Sequence, residues 1–198
     1  MIRAVVFDLG EVLTSPPDLL PTLAARIDCE VTDLRAVYGD GRLAYDGGCG
    51  DLDYWGPILT ALGKSADEAL ALELANLDAS VWSQLRPTSW QLLRDVRSAG
   101  LTVAVLTNSP HAMQRMADIA PWRPDVDHLF VSASLGLLKP DPAIFELVAE
   151  RLGLDAADIA FIDDRAGNVE AAAALGWRTH LWHDDADTRE WLERLGGV

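Results

Sequence analysis

Residues 2–7 form a run of β-branched and aromatic side chains that stops abruptly at Asp8-Leu9-Gly10, the pattern of a short buried strand. Runs of the same kind recur at residues 101–106, 128–131, 159–162 and 177–182. Between them the apolar positions change to helical spacing. Trp90, Leu93 and Val96 precede Gly100; Ile144, Leu147, Val148 and Leu152 precede Gly153; Val169, Ala172 and Ala173 precede Gly176. Each glycine stands where a helix C-terminus favours a residue free to take positive φ. Asp141-Pro142 has the form of an N-cap followed by the first helical position.

Strands that are apolar along their whole length, alternating with helices, predict an α/β fold with a parallel sheet covered on both faces. Ligands of such sheets bind beyond the carboxyl ends of the strands, so the polar residues that follow strands are the candidates for chemistry. Residues 14–86 interrupt the alternation. They open on Ser15-Pro16-Pro17, close on Arg86-Pro87, and carry helical patterns at 19–27, 31–38, 52–62 and 66–81. This predicts an inserted helical module between two proline-marked joints, with residues 1–13 and 87–198 forming the core. Tyr45-Asp46-Gly47-Gly48-Cys49-Gly50 is expected to be a glycine-rich turn at the tip of the insert.

The length of 198 residues suits one substantial core plus a small module. With 49% hydrophobic residues, the net charge of −15 is not that of a disordered acidic tail. The insert holds 5 basic and 12 acidic residues, so the acidity is spread over both parts. Such a balance argues against nucleic-acid and anionic-membrane partners, which need a positive footprint. It leaves room for one small anionic substrate in a locally positive pocket. Cys29 and Cys49 are expected to be free thiols. With no secretory or membrane-spanning stretch, the expected compartment is the cytoplasm. Only Lys64 and Lys139 among the basic residues are lysines.

Four polar clusters follow predicted strands: Asp8, Thr107-Asn108, Lys139 and Asp163-Asp164. Singly, each has an ordinary explanation as a turn former, a helix cap or a solvated lysine. Together they would bring carboxylates for a hard cation, hydroxyl and amide donors, and an ammonium to one mouth of the sheet. Carboxylate oxygens suit Mg²⁺, and this inventory is one for phosphoryl transfer.

The residues that carry these groups resemble the motifs of a known family. Val5-Val6-Phe7-Asp8-Leu9-Gly10-Glu11-Val12-Leu13, Leu106-Thr107-Asn108-Ser109, Leu138-Lys139-Pro140-Asp141-Pro142 and Phe161-Ile162-Asp163-Asp164-Arg165 with Asn168 are similar, in order and spacing, to the four motifs of the haloacid dehalogenase (HAD) superfamily of hydrolases. The resemblance implies a Rossmann-like core with a helical cap at residues 14–86, and a Mg²⁺-dependent phosphatase acting on a small phosphorylated metabolite. By position it implies Asp8 as nucleophile and metal ligand, and Thr107 and Asn108 as phosphate-binding residues. Lys139 would offset charge, Asp164 would bind the metal directly with Asp163 assisting, and Asn168 would orient the lysine.

One position departs from the pattern. Phosphatases of the family usually carry a second Asp two residues after the nucleophile, as general acid and base, and here that residue is Gly10. Its backbone carbonyl can still reach a metal, but a positioned proton donor, worth about 10²- to 10⁴-fold in rate, is missing. Replacements open to the chain are water, the substrate, Glu11, or a cap carboxylate such as Asp46, Asp51 or Asp53. The departure also admits two alternatives: a metal-independent 2-haloacid dehalogenase, and a non-catalytic module that binds metal or phosphate. Tyr45, Gly47 and Trp55 are candidates for lining the substrate. His180 and His183 read as an edge strand and a turn.

Overall fold

The computed structural model describes residues 1–198. Five parallel strands, β1 (Ala4–Phe7), β2 (Thr102–Thr107), β3 (His128–Val131), β4 (Ile159–Asp163) and β5 (Arg178–Leu181), form one sheet in the order β3-β2-β1-β4-β5. The chain therefore winds outward from β1 to β2 and β3, then returns to the other side for β4 and β5. That reversal makes the carboxyl end of β1 the topological switch point.

Period-2 alternation divides the strand residues between two apolar cores. Val5, Phe7, Val103, Val105 and Ile162 face one; Val6, Leu106 and Phe161 face the other, with Phe145 and Trp177 set edge-on to Phe161. Helices α6 (Pro87–Ser98), α7 (His111–Ala117), α8 (Ser132–Leu135), α9 (Pro142–Leu152), α10 (Ala166–Ala174) and α11 (Asp185–Leu195) complete the two layers. Asp141 caps α9 through its side chain, which accepts from Ala143 N–H at 2.9 Å. Asp141→Ala should lower the unfolding free energy by about 1 kcal/mol, read as a shifted urea midpoint with unchanged slope.

Between β1 and α6 lie α1 (Leu19–Ile27), α2 (Val31–Val37), α3 (Arg42–Asp46), α4 (Asp51–Ala61) and α5 (Glu68–Trp82), and no strand. Leu23, Leu34, Trp55, Leu59 and Leu74 from these helices join the same apolar core as Val5 and Phe7. No helix is long and apolar enough to cross a membrane.

Several local expectations shift. Tyr45 and Asp46 belong to α3, so the turn begins only at Gly47; a helix of five residues is too short to show periodicity. The second strand runs one residue later than expected, which places Thr107 at its end. Trp177 and Trp182 fall outside β5. The helix α8 separates β3 from Lys139, which therefore does not follow the strand directly. Gly100, Gly153 and Gly176 take the expected positive φ, at 82°, 64° and 91°.

Candidate active site

Asp8 is the residue after β1, at the switch point, and its N–H donates to Ile162 C=O of β4 at 2.9 Å. Its Oδ1 accepts from Leu9 N–H at 2.7 Å and lies 2.9 Å from Lys139 Nζ. No protein group donates to its Oδ2. Lys139 is buried, and its ammonium has three acceptors for its three protons: Asp8 Oδ1, Asp163 Oδ2 at 2.6 Å and Leu106 C=O at 2.9 Å. The Phe161 ring lies 5.6 Å beneath it.

Charge and burial oppose each other here. Burial pushes the Asp8 carboxyl up to about 6, against the Lys139 ammonium, with Asp163 adding to the rise. The expected ionisation of Asp8 beside a lysine is therefore weakened by desolvation. Burial also acts to lower the lysine, but Asp8 and Asp163 more than reverse it, and the net direction is upward.

The two late carboxylates differ. Asp163 ends β4, is fully buried and is saturated: Lys139, Arg165 N–H at 2.9 Å and the Asn168 amide at 2.9 and 3.0 Å all donate to it. Asp164 is half-buried, and its side chain accepts from no other residue; burial raises its carboxyl, with Asp163 contributing. Asn168, expected to orient Lys139, makes no direct hydrogen bond to it; its amide spans both oxygens of Asp163 and meets the lysine only through that shared carboxylate.

The donors at the end of β2 also divide their work. Thr107 Oγ1 is 2.8 Å from Ser109 Oγ, buried at the mouth. The Asn108 side chain is consumed in a two-way clamp on the backbone of Lys139, donating to its C=O at 2.8 Å and accepting its N–H at 2.9 Å. That leaves the backbone N–H of Asn108, which has no protein partner, as the donor this residue can offer to a ligand.

Asp8, Asp163 and Asp164 each present an oxygen, and these oxygens lie within 4.8 Å of one another. An all-oxygen donor set with net negative charge fits a hard divalent cation such as Mg²⁺. Gly10 C=O accepts from Val12 N–H at 2.7 Å, which leaves its second lone pair.

A cavity of about 420 Å³ opens over Asp8, Lys139 and Asp164. Besides the expected residues, Tyr38, Arg42, Trp82, Met113 and Arg165 line it. Arg42 and Trp82 carry no motif; Arg165 lies inside one but looks like a solvated helix-start arginine. Tyr45, Gly47 and Trp55 do not line the cavity. Tyr45 is stacked on Tyr54 at 4.2 Å with its hydroxyl on Asp51, and Trp55 is wholly buried among these rings. His180 stacks on Trp191 at 4.9 Å and belongs to no cluster of metal-ligating residues.

A parallel sheet with a carboxylate–lysine cluster at its switch point, and helices inserted behind its first strand, defines an α/β protein of the Rossmann-like class. The chain belongs to the haloacid dehalogenase-like hydrolase family, whose pattern matches residues 2–176. It is 33% identical over 124 residues to "Phosphatase MT3486" of Mycobacterium tuberculosis, covering 62% of this chain and 57% of that protein. It is 31% identical over 107 residues to "(S)-2-haloacid dehalogenase" of a Pseudomonas species, covering 54% of this chain and 42% of that protein. The chain thus spans about half the length of these curated relatives. A HAD family enzyme of Bacteroides thetaiotaomicron, crystallised with magnesium and inorganic phosphate, shares the fold with a TM-score of 0.70 at 22% identity, over 91% of this chain and 93% of that one.

Proposed function

We propose that this hydrolase is a Mg²⁺-dependent phosphatase, acting on a small phosphorylated metabolite through an aspartyl-phosphate on Asp8. The observation that carries the reading is the gathering of the Asp8, Asp163 and Asp164 carboxylates and the Lys139 ammonium at one mouth of the sheet, with Asp8 Oδ2 left unpartnered. Asp8, Asp164 and Gly10 C=O would hold the cation, with Asp163 behind them. When bound, Mg²⁺ offsets the negative charge of the phosphate oxygens.

The chain's own groups do the rest. Asp8 Oδ2 attacks phosphorus. Lys139, fixed by three acceptors, stabilises charge on Asp8 and on the transferring group. The Thr107 hydroxyl and the free N–H of Asn108 receive phosphoryl oxygens. The inserted helices, read as a cap over residues 14–86, wall the cavity and limit water. A cavity of about 420 Å³ favours a small ester over a polymer end or a membrane surface. The phosphatase relative and the magnesium–phosphate neighbour support the same chemistry.

Gly10 and the dehalogenase relative favour a second reading, in which Asp8 attacks carbon. Three carboxylates beside a site that must admit an anionic acid weigh against it. A panel of phosphomonoesters and 2-haloacids, each with and without chelator, separates the two. Phosphate release should vanish with chelator and return with Mg²⁺; halide release that ignores chelator would replace this reading with dehalogenation. Silence on both panels would leave a binding module.

A further inference from the structure

Phosphoester hydrolysis needs a proton for the departing oxygen and then a base for water, and residue 10 supplies neither. A Cβ at Gly10 would stand 3.7 Å from Cζ3 of Trp82, an ordinary van der Waals contact, so the indole of the inserted helices borders residue 10. From Trp82 a chain of fixed polar contacts leads away. Its Nε1 donates to Tyr38 Oη at 3.4 Å, Tyr38 donates to Asp78 at 2.5 Å, and Arg42 bridges Asp78 at 3.4 Å to Asp46 at 2.9 Å.

Asp46 lines the same cavity as Asp8. Arg42 holds its Oδ1, no protein group donates to its Oδ2, and its side chain is 14% exposed. Its backbone C=O accepts from Ser132 Oγ at 2.6 Å, pinning the end of α3 to the residue after β3. The other acids suggested by sequence are placed elsewhere. Asp51 is held by Arg115 at 2.9 Å and Tyr45 at 2.7 Å, Asp53 accepts from Gly50 N–H at 3.2 Å, and neither lines the cavity. Glu11 lines it, but is exposed at the rim and accepts from Ser15 Oγ at 2.7 Å.

We propose that Asp46 is the proton-exchanging catalytic residue of this site, supplied by the inserted helices in place of a carboxyl on residue 10. The inference rests on the phosphatase reading. In the first half, the bond between phosphorus and the leaving oxygen breaks as Asp8 Oδ2 bonds to phosphorus, and Asp46 Oδ2 gives its proton to that oxygen. In the second, water attacks phosphorus, the bond to Asp8 breaks, inorganic phosphate departs, and the water's proton returns to Asp46. Burial raises the Asp46 carboxyl to about 6, with Arg42 opposing and Asp78 adding, so both forms lie within reach of neutral pH.

The readout is leaving-group dependence in the full chain with Mg²⁺, using ethyl phosphate and p-nitrophenyl phosphate. Asp46→Asn should lower kcat/KM for ethyl phosphate by about 10²- to 10⁴-fold, and for p-nitrophenyl phosphate, whose phenolate leaves unprotonated, by less than about 10-fold. Asp46→Ala should recover ethyl phosphate turnover when acetate is added. Equal losses on both esters, or no loss, would overturn the assignment, as would a selective loss in Glu11→Gln. All of these outcomes leave the phosphatase reading standing, because wild type still turns over and Asp8→Asn does not. Wild type inert to both esters would remove that reading, and this one with it.

Discussion

Asp8→Asn should abolish phosphate release, with a fall in kcat of at least about 10⁴-fold, because it removes the atom that forms the covalent bond. The substitution is nearly isosteric. An amide oxygen at the Oδ1 position can still accept from Leu9 N–H and from Lys139 Nζ, so the fold and the lysine slot should persist. What is lost is a charged nucleophile at the Oδ2 position, where an amide nitrogen attacks nothing. Acid-quenched reactions with a ³²P-labelled ester provide the direct check: wild type should retain label on protein, and Asp8→Asn none. Turnover by the variant comparable with wild type would remove Asp8 as nucleophile.

Much of this site was legible in the sequence because its parts lie at element ends, where physical rules act locally. An apolar run that must stop at the sheet boundary marks Asp8, and the same reasoning marks Asp163-Asp164. Asp141-Pro142 and the glycines after helices mark α9 and its neighbours for equally local reasons. The arrangement beyond the motifs was not legible, because it depends on tertiary partners. Nothing in the spacing indicates that Asn168 grips Asp163 rather than Lys139, or that the Asn108 side chain is spent on the backbone of residue 139. The cavity wall contributed by Arg42 and Trp82 is hidden further, since α3 is shorter than the window over which helical periodicity becomes visible and nothing in the spacing of α5 singles out its last residue; Asp46 was visible only as one of several acids of the insert. Residue 10 shows both sides: its missing carboxyl is plain in the sequence, but the indole against it appears only in three dimensions.

Lys139→Met should both unfold more easily and lose activity, and the two effects have one origin. The ammonium sits in a slot where its side chain is 1% exposed, between carboxylates of which Asp163 is wholly buried. Methionine fills a similar volume but donates nothing. It leaves Asp8 Oδ1, Asp163 Oδ2 and Leu106 C=O without their shared donor. Breaking a buried ion pair by removing one partner costs about 3–5 kcal/mol, a large share of the stability of a domain this size. A urea midpoint measured without added metal should show that loss. Lys139→Arg tests whether charge alone suffices. A planar guanidinium spreads its donors in one plane and needs more room than three converging acceptors leave. The arginine variant should therefore stay well below wild type in both stability and kcat, although its net charge is unchanged. Full activity in Lys139→Arg would show that the site needs only a positive charge there, and that the three-acceptor geometry is incidental to catalysis.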